Sequence, residues 1–167
     1  FLAGTLNLFD QSPLGSAAGY GTTVPLNREA VGKAAGFKTV QVNSLNIQNS
    51  RLKMDIVLLD AIKYLLMSFN KLASDLLFFT TGELNFFSLA EELTTGSSIM
   101  PQKKNSDVLE LIRAKSAAAM SASSNLWAIS NNLTSGYHRD FQISKEIVFS
   151  VLTLAKTLCA AVKIVFD

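Results

Sequence analysis

From about Ser50 to about Thr80 apolar residues recur every three or four positions, with no glycine or proline between them. Met54, Val57, Leu58, Ala61, Ile62, Leu65, Phe69, Leu72, Leu76 and Phe79 carry this helical repeat. Leu59, Leu66 and Leu77 spread the apolar surface nearly all the way round, the pattern of a helix in the middle of a bundle. A helix of about thirty residues exceeds the usual globular length, so packing on several neighbours must hold it. Gly82 is its stop signal.

The rest of the chain supplies those neighbours. Residues 1 to 26 are rich in Gly, Ser, Thr and Pro and read as loop, although small residues at this density also allow close backbone approach. Asn27 is placed to cap a short helix from Arg28 to Ala35, ended by Gly36. The polar run Gln41 to Ser50 leads into the long helix. A second long helix is expected from about Asp107 to Asn131 and Asn132, with the Asp107 carboxylate and the Ser106 hydroxyl at its N-terminus and Val108, Ile112, Ala119 and Met120 on its apolar face. After a loop through Tyr137 and His138, Asp140 is a candidate cap for the last helix. Phe141, Ile147, Val148, Val151, Leu152, Ala155, Leu158, Cys159 and Val162 form that helix's expected buried face. No strand-period segment has comparable strength, so the fold class is an all-α long-helix bundle. The expected organisation is one helical domain over 1–167, with loop-rich residues 1–50 before the long helices of 51–167.

Composition excludes several functions and points to covered helix faces. Charged residues are 17% of the chain against about 25% in ordinary soluble proteins, while hydrophobic residues are 49%. A chain this poor in charge buries more than a monomer's interior, which favours faces covered by other subunits. Asp60, Lys63, Asn70, Lys71 and Asp75 interrupt the best candidate membrane span, so no membrane crossing is expected. A net charge of +2, without a basic block interleaved with aromatics, gives no reason to expect nucleic acid. The single cysteine, Cys159, lies among apolar residues and is expected to be a buried, inert thiol. It permits neither a disulfide framework nor a cysteine metal site, which fits a reducing, cytoplasmic setting. The opening Phe1-Leu2-Ala3-Gly4 lacks the charged and apolar regions of a signal peptide and reads as the start of a piece cut from a longer protein.

One stretch differs in kind from its helical surroundings. Gly96-Ser97-Ser98-Ile99-Met100-Pro101-Gln102-Lys103-Lys104-Asn105, within a connecting loop at 94–106, packs a glycine, two hydroxyls, a proline, two cations and an amide between long apolar patterns. It resembles the signature of the fumarase/aspartase/argininosuccinate lyase superfamily, and its Gln-Lys-Lys-Asn ending is similar to the argininosuccinate lyase branch. Pro13 to Ser16, Asn43-Ser44, Asp107 to Arg113, and Tyr137 to Gln142 through Lys145-Glu146 resemble the same branch in the same order.

The resemblance implies the central helical domain of that fold and reversible elimination of fumarate from argininosuccinate, leaving arginine. No cofactor or metal is implied. It assigns the base to Ser97, the stabilisation of the developing carboxylate charge to Lys103 and Asn105, and the orientation or charge-pairing of a catalytic histidine to Glu110. Tyr137, Gln142 and Lys145 match positions that hold substrate. A cation about 4 Å away at an effective dielectric near 20 is worth roughly 4 kcal/mol, against about 0.3–1 kcal/mol from a helix terminus. Lys103 should therefore outweigh the helix dipole.

Each assignment has a plainer rival. Ser97 and Ser98 suit loop hydroxyls bonded to their own backbone, Glu110 suits a helix-start carboxylate, and Tyr137, Gln142 and Lys145 suit junction or surface positions. Lys104 reads as a solvated charge. His138 does not match the family's histidine, and a loop or carboxylate-pairing role fits it better. Ser106 stands where a proline commonly follows the asparagine, and Arg51 receives no role. The resemblance also implies a homotetramer whose sites are shared between subunits, with the general acid outside these residues. Adenylosuccinate lyase and aspartase types, and a non-catalytic crystallin-like relative, stay open as alternatives.

Overall fold

The computed structural model describes residues 1–100 and 102–167; Pro101 of the signature stretch lies outside the described residues. The chain divides into two compact units, one of residues 1–61 with 123–148, the other of residues 62–122 with 149–167.

In the first unit, α1 (Leu2–Leu6) and a 3-10 turn (Asn7–Phe9) precede β1 (Gln11–Ser12), which pairs in parallel with β2 (Thr39–Val40). Between the two strands lies α2 (Arg28–Ala34), whose Asn27 cap accepts the Ala30 N–H at 2.9 Å, as the sequence predicts. Gly32 lets α2 lie on this ladder. A Cβ there would stand 3.0 Å from Ser12 Cβ and 3.1 Å from Val40 Cγ2. Arg28 ties the glycine-rich loop down by donating to the Leu14 carbonyl (3.1 Å) and the Gln41 carbonyl (2.7 Å). The polar run before the long helix is itself partly helical, as α3 (Ser44–Asn49), with Asn43 accepting the Asn46 N–H.

The long helix, α4, runs from Arg51 to Phe79. Its hydrophobicity all round hides which line faces the core, and the buried line differs from the expected one. Leu52, Ile56 and Leu59 are buried in the first unit, and Ile62, Leu66 and Ala73 in the second, whereas Met54, Val57 and Leu58 stay partly exposed. Leu52 and Leu59 in the first unit, and Leu66 and Ala73 in the second, stand seven apart along the helix. At its C-terminus the Thr80 and Thr81 hydroxyls donate to the Leu77 and Phe78 carbonyls, and the Phe79 ring packs on Phe86 and Phe87.

The expected second helix is two: α5 (Asp107–Met120) and α6 (Ala122–Ser130). The Ser121 hydroxyl donates to the Ala118 carbonyl at 2.9 Å, a local bond that competes with helix continuation at the break. Asn132, at φ 64°, stands in the left-handed region just past α6. The Ser106 hydroxyl does not cap α5, contrary to expectation. Its carbonyl accepts the first turn's N–H groups from Leu109 and Glu110.

The last helix, α7 (Ile143–Phe166), is preceded by a 3-10 turn, Arg139–Gln142, that contains Asp140, so Asp140 does not cap it. Val148, Val151, Ala155 and Leu158 form its buried line. Cys159 is exposed, against expectation, because one residue past Leu158 the helix has turned about 100° away from that line. Ile143, Phe149, Leu152, Ile164 and Phe166 are also exposed. The segment Arg139–Phe166 has the length and apolarity to cross a membrane, and only 17% of its most apolar window is buried.

Candidate active site

The signature stretch is built as a small hairpin in the second unit. β3 (Thr95–Gly96) pairs antiparallel with β4 (Lys104–Asn105), in the register Thr95 to Asn105 and Gly96 to Lys104. The pleat places Thr95 and Asn105 on one face, with Gly96 and Lys104 on the other. Two side-chain ties hold the base of the hairpin. The Thr95 hydroxyl donates to the Asp107 carboxylate at the start of α5, and the Lys104 ammonium pairs with Glu91 in the 3-10 turn Glu91–Leu93. Lys104 therefore has a carboxylate partner rather than the purely solvated role read from sequence. That partner holds the Glu91 carboxyl below its usual range, first through the hydrogen bond and then through charge.

Ser97 is half-buried, and its Oγ accepts the backbone N–H of Ile99 (3.3 Å) and of Met100 (3.2 Å). This is the local turn that the plainer reading anticipates, and it also surrounds the oxygen with donors. Such donors stabilise a negative oxygen more than a neutral one. Lys103 is exposed, with its own N–H on the Met100 carbonyl at 2.9 Å. Asn105 is half-buried in β4, and Glu110 is exposed in the first turn of α5.

Tyr137, Gln142 and Lys145 belong to the first unit. Tyr137 is about half exposed, and Gln142 Nε2 donates to its hydroxyl at 3.4 Å. Lys145 is exposed in the first turn of α7. His138 takes a loop role: its Nε2–H donates to the Thr134 carbonyl at 2.7 Å, and its ring meets Phe141 edge-on.

Around this segment the structure gathers residues to which the sequence gave no role. The Arg51 guanidinium carbon lies 5.8 Å from the centre of the Tyr137 ring and 5.3 Å from that of Phe141. Asn49 Nδ2 donates to Ser135 Oγ at 3.2 Å, and Asn49 Oδ1 accepts the Gly136 N–H at 3.0 Å. The Tyr20 hydroxyl donates to the Ser135 carbonyl at 3.1 Å. Beneath them, burial pushes the Asp55 carboxyl up, against the opposing effects of the Ser144 hydroxyl and the Arg51 charge. These contacts join segments far apart in sequence, and only the arginine before an apolar run was a visible signal.

An all-helical core carrying a polar hairpin at the head of a helix defines the class, and the sequence profile of a family described as lyase matches residues 3–121. The chain belongs to that lyase family. Among its relatives, the argininosuccinate lyase of Thermotoga neapolitana is 42% identical over 161 residues, 96% of this chain and 40% of that protein. The argininosuccinate lyase of Xylella fastidiosa is 46% identical over 146 residues, 87% of this chain and 33% of that protein. Among solved structures, EDDS lyase in complex with formate matches with a TM-score of 0.78 at 26% identity, over 93% of this chain and 32% of that one. The chain thus spans between a third and two-fifths of the length of the curated relatives it matches.

Proposed function

We propose that the full-length protein carrying this sequence is an argininosuccinate lyase, which eliminates fumarate from argininosuccinate and leaves arginine. One observation carries the reading: the first serine of the signature hairpin has two backbone N–H groups on its hydroxyl oxygen, the environment that an alkoxide base requires. The 42% and 46% identities to argininosuccinate lyases favour their substrate over that of the less similar EDDS lyase.

In this reading Ser97, as alkoxide, takes the proton from the carbon beside a substrate carboxylate. The electron pair moves into that carboxylate, and the doubly charged intermediate is stabilised by the Lys103 ammonium and the Asn105 amide. Collapse of the intermediate forms the double bond of fumarate and breaks the carbon–nitrogen bond, and the leaving nitrogen takes a proton from a general acid. His138, the sequence's one histidine, does not match the family's catalytic histidine, so this reading leaves that acid to a residue outside the given sequence, with Glu110 orienting it. Tyr137, Gln142 and Lys145 hold the substrate, the lysine through charge on a carboxylate. The protein works without a cofactor, in the cytoplasm, as a homotetramer with shared sites, and the exposed apolar residues of α7 are covered by its other helices or by partner subunits.

The test is to supply the purified full-length protein with argininosuccinate and follow fumarate and arginine together. Equal amounts of both are expected. Turnover of ethylenediamine disuccinate, aspartate or adenylosuccinate with none of argininosuccinate would replace this reading by another fumarate-releasing activity.

A further inference from the structure

The turn that delivers Tyr137 is held from outside by residues the reaction scheme does not use. Gly136 sits at φ 124°, a conformation open to glycine, and it is buried. A Cβ there would stand 3.1 Å from the Tyr20 hydroxyl. Asn49, the last residue of α3, meets this turn with both ends of its amide. A backbone N–H can only donate, so the Gly136 bond fixes the amide oxygen towards the chain and leaves Nδ2 to donate to Ser135. Two residues on, Arg51 opens α4 and lies over both Tyr137 and Phe141. A guanidinium over two rings restrains them through its planar face in a way an ammonium does not. The turn, the ring and the Gln142 amide on the ring's hydroxyl are thereby linked to the junction between α3 and α4.

We propose that Asn49 and Arg51 are positioning residues for Tyr137: the Asn49 amide fixes the turn before it and the Arg51 guanidinium fixes its ring, so that the substrate meets Tyr137 and Gln142 already placed. This rests on the reading of Tyr137 as a substrate contact. It extends that reading to two residues that touch no reacting atom.

Asn49→Leu keeps the approximate shape and removes both hydrogen bonds. In the full-length enzyme it should raise KM for argininosuccinate about tenfold, the loss of two modest hydrogen bonds, with kcat held within about twofold. Hydrogen exchange over residues 133–142 should quicken about tenfold by the same reasoning. Asn49→Asp, which keeps the acceptor for Gly136, should fall between, and Arg51→Lys should raise KM in the same direction. A role confined to stability would instead lower Tm and the active fraction without moving KM. In a Tyr137→Ala background the Asn49→Leu change should add less than about twofold, because a residue that acts through another is silent once that other is gone. An undiminished effect in that background, or an unchanged KM, overturns the proposal. If Tyr137→Ala itself leaves KM unaltered, the substrate role of the segment fails and the positioning role falls with it. Unaltered exchange in Asn49→Leu would show separately that the brace does not hold the turn.

Discussion

Ser97→Ala separates the two roles that one hydroxyl fills in the hairpin. Each N–H on Ser97 Oγ is worth about 1.5–3 kcal/mol when its acceptor is charged, so the pair stabilises an alkoxide by roughly 3–6 kcal/mol. A serine hydroxyl is still a weak acid with that support, and the remaining stabilisation falls to Lys103. For the folded chain the same two bonds matter little. Ile99 and Met100 are exposed, and water replaces the lost acceptor, so the substitution should cost within about 0.5 kcal/mol of stability. Loss of a positioned base should lower kcat by about 10²- to 10⁴-fold. The assay is fumarate release followed by its ultraviolet absorbance in the full-length protein, beside a thermal melt of the same sample. Turnover within about threefold of the parent would remove Ser97 from the base role and leave it a turn residue. A large fall in both kcat and Tm would show the hydroxyl to be structural.

Three further outcomes are expected. Lys103→Met should lower kcat by about a thousandfold, the rate equivalent of roughly 4 kcal/mol, whereas Lys104→Met, which loses only an exposed pair with Glu91, should leave steady-state kinetics close to the parent's. Asp55 has a folded-state pKa above its unfolded value, so it binds more protons when folded, and its contribution to stability falls as pH rises from about the model-peptide value to the raised one. Asp55→Asn should therefore raise Tm at neutral pH, and this gain over the parent should shrink as pH falls through the range in which Asp55 takes up its proton; a gain that does not vary with pH would show that burial does not dominate at that carboxyl. Gly32→Ala should destabilise by about 1–3 kcal/mol in urea unfolding, because the added methyl meets Ser12 and Val40 at 3.0 and 3.1 Å.

What the sequence made legible was carried by short-range rules. Asn27 before Arg28-Glu29-Ala30 and the breaker-free run after Ser50 each act within a few residues, and the Asn27 cap and the long helix lie where those rules put them. The buried line of α4 was hidden because leucines occupy nearly every direction round it, and only packing chooses among them. Two-residue strands carry no alternation to detect, so the β3–β4 hairpin gave no signal. Its polar composition showed that the stretch was unusual without showing the register that pairs Thr95 with Asn105 and Gly96 with Lys104. The break at Ser121 depends on a hydroxyl choosing its own backbone, a choice open to every serine in Ser121-Ala122-Ser123-Ser124. Cys159 misled because apolar neighbours in sequence are not neighbours on a helix face. Asn49 and Tyr20 were invisible for a further reason: their partners lie at Ser135 and Gly136, across most of the chain.

The seven-residue spacing of Leu52, Leu59, Leu66 and Ala73 also limits how this chain can change length during evolution. Deleting one residue inside α4 turns everything beyond it by about 100° and carries the downstream leucines off the buried line. Deleting seven restores the facing to within about 20°. Length changes among relatives should therefore collect in the loops at residues 13–26 and 83–94, while α4 changes length only in near-whole heptads.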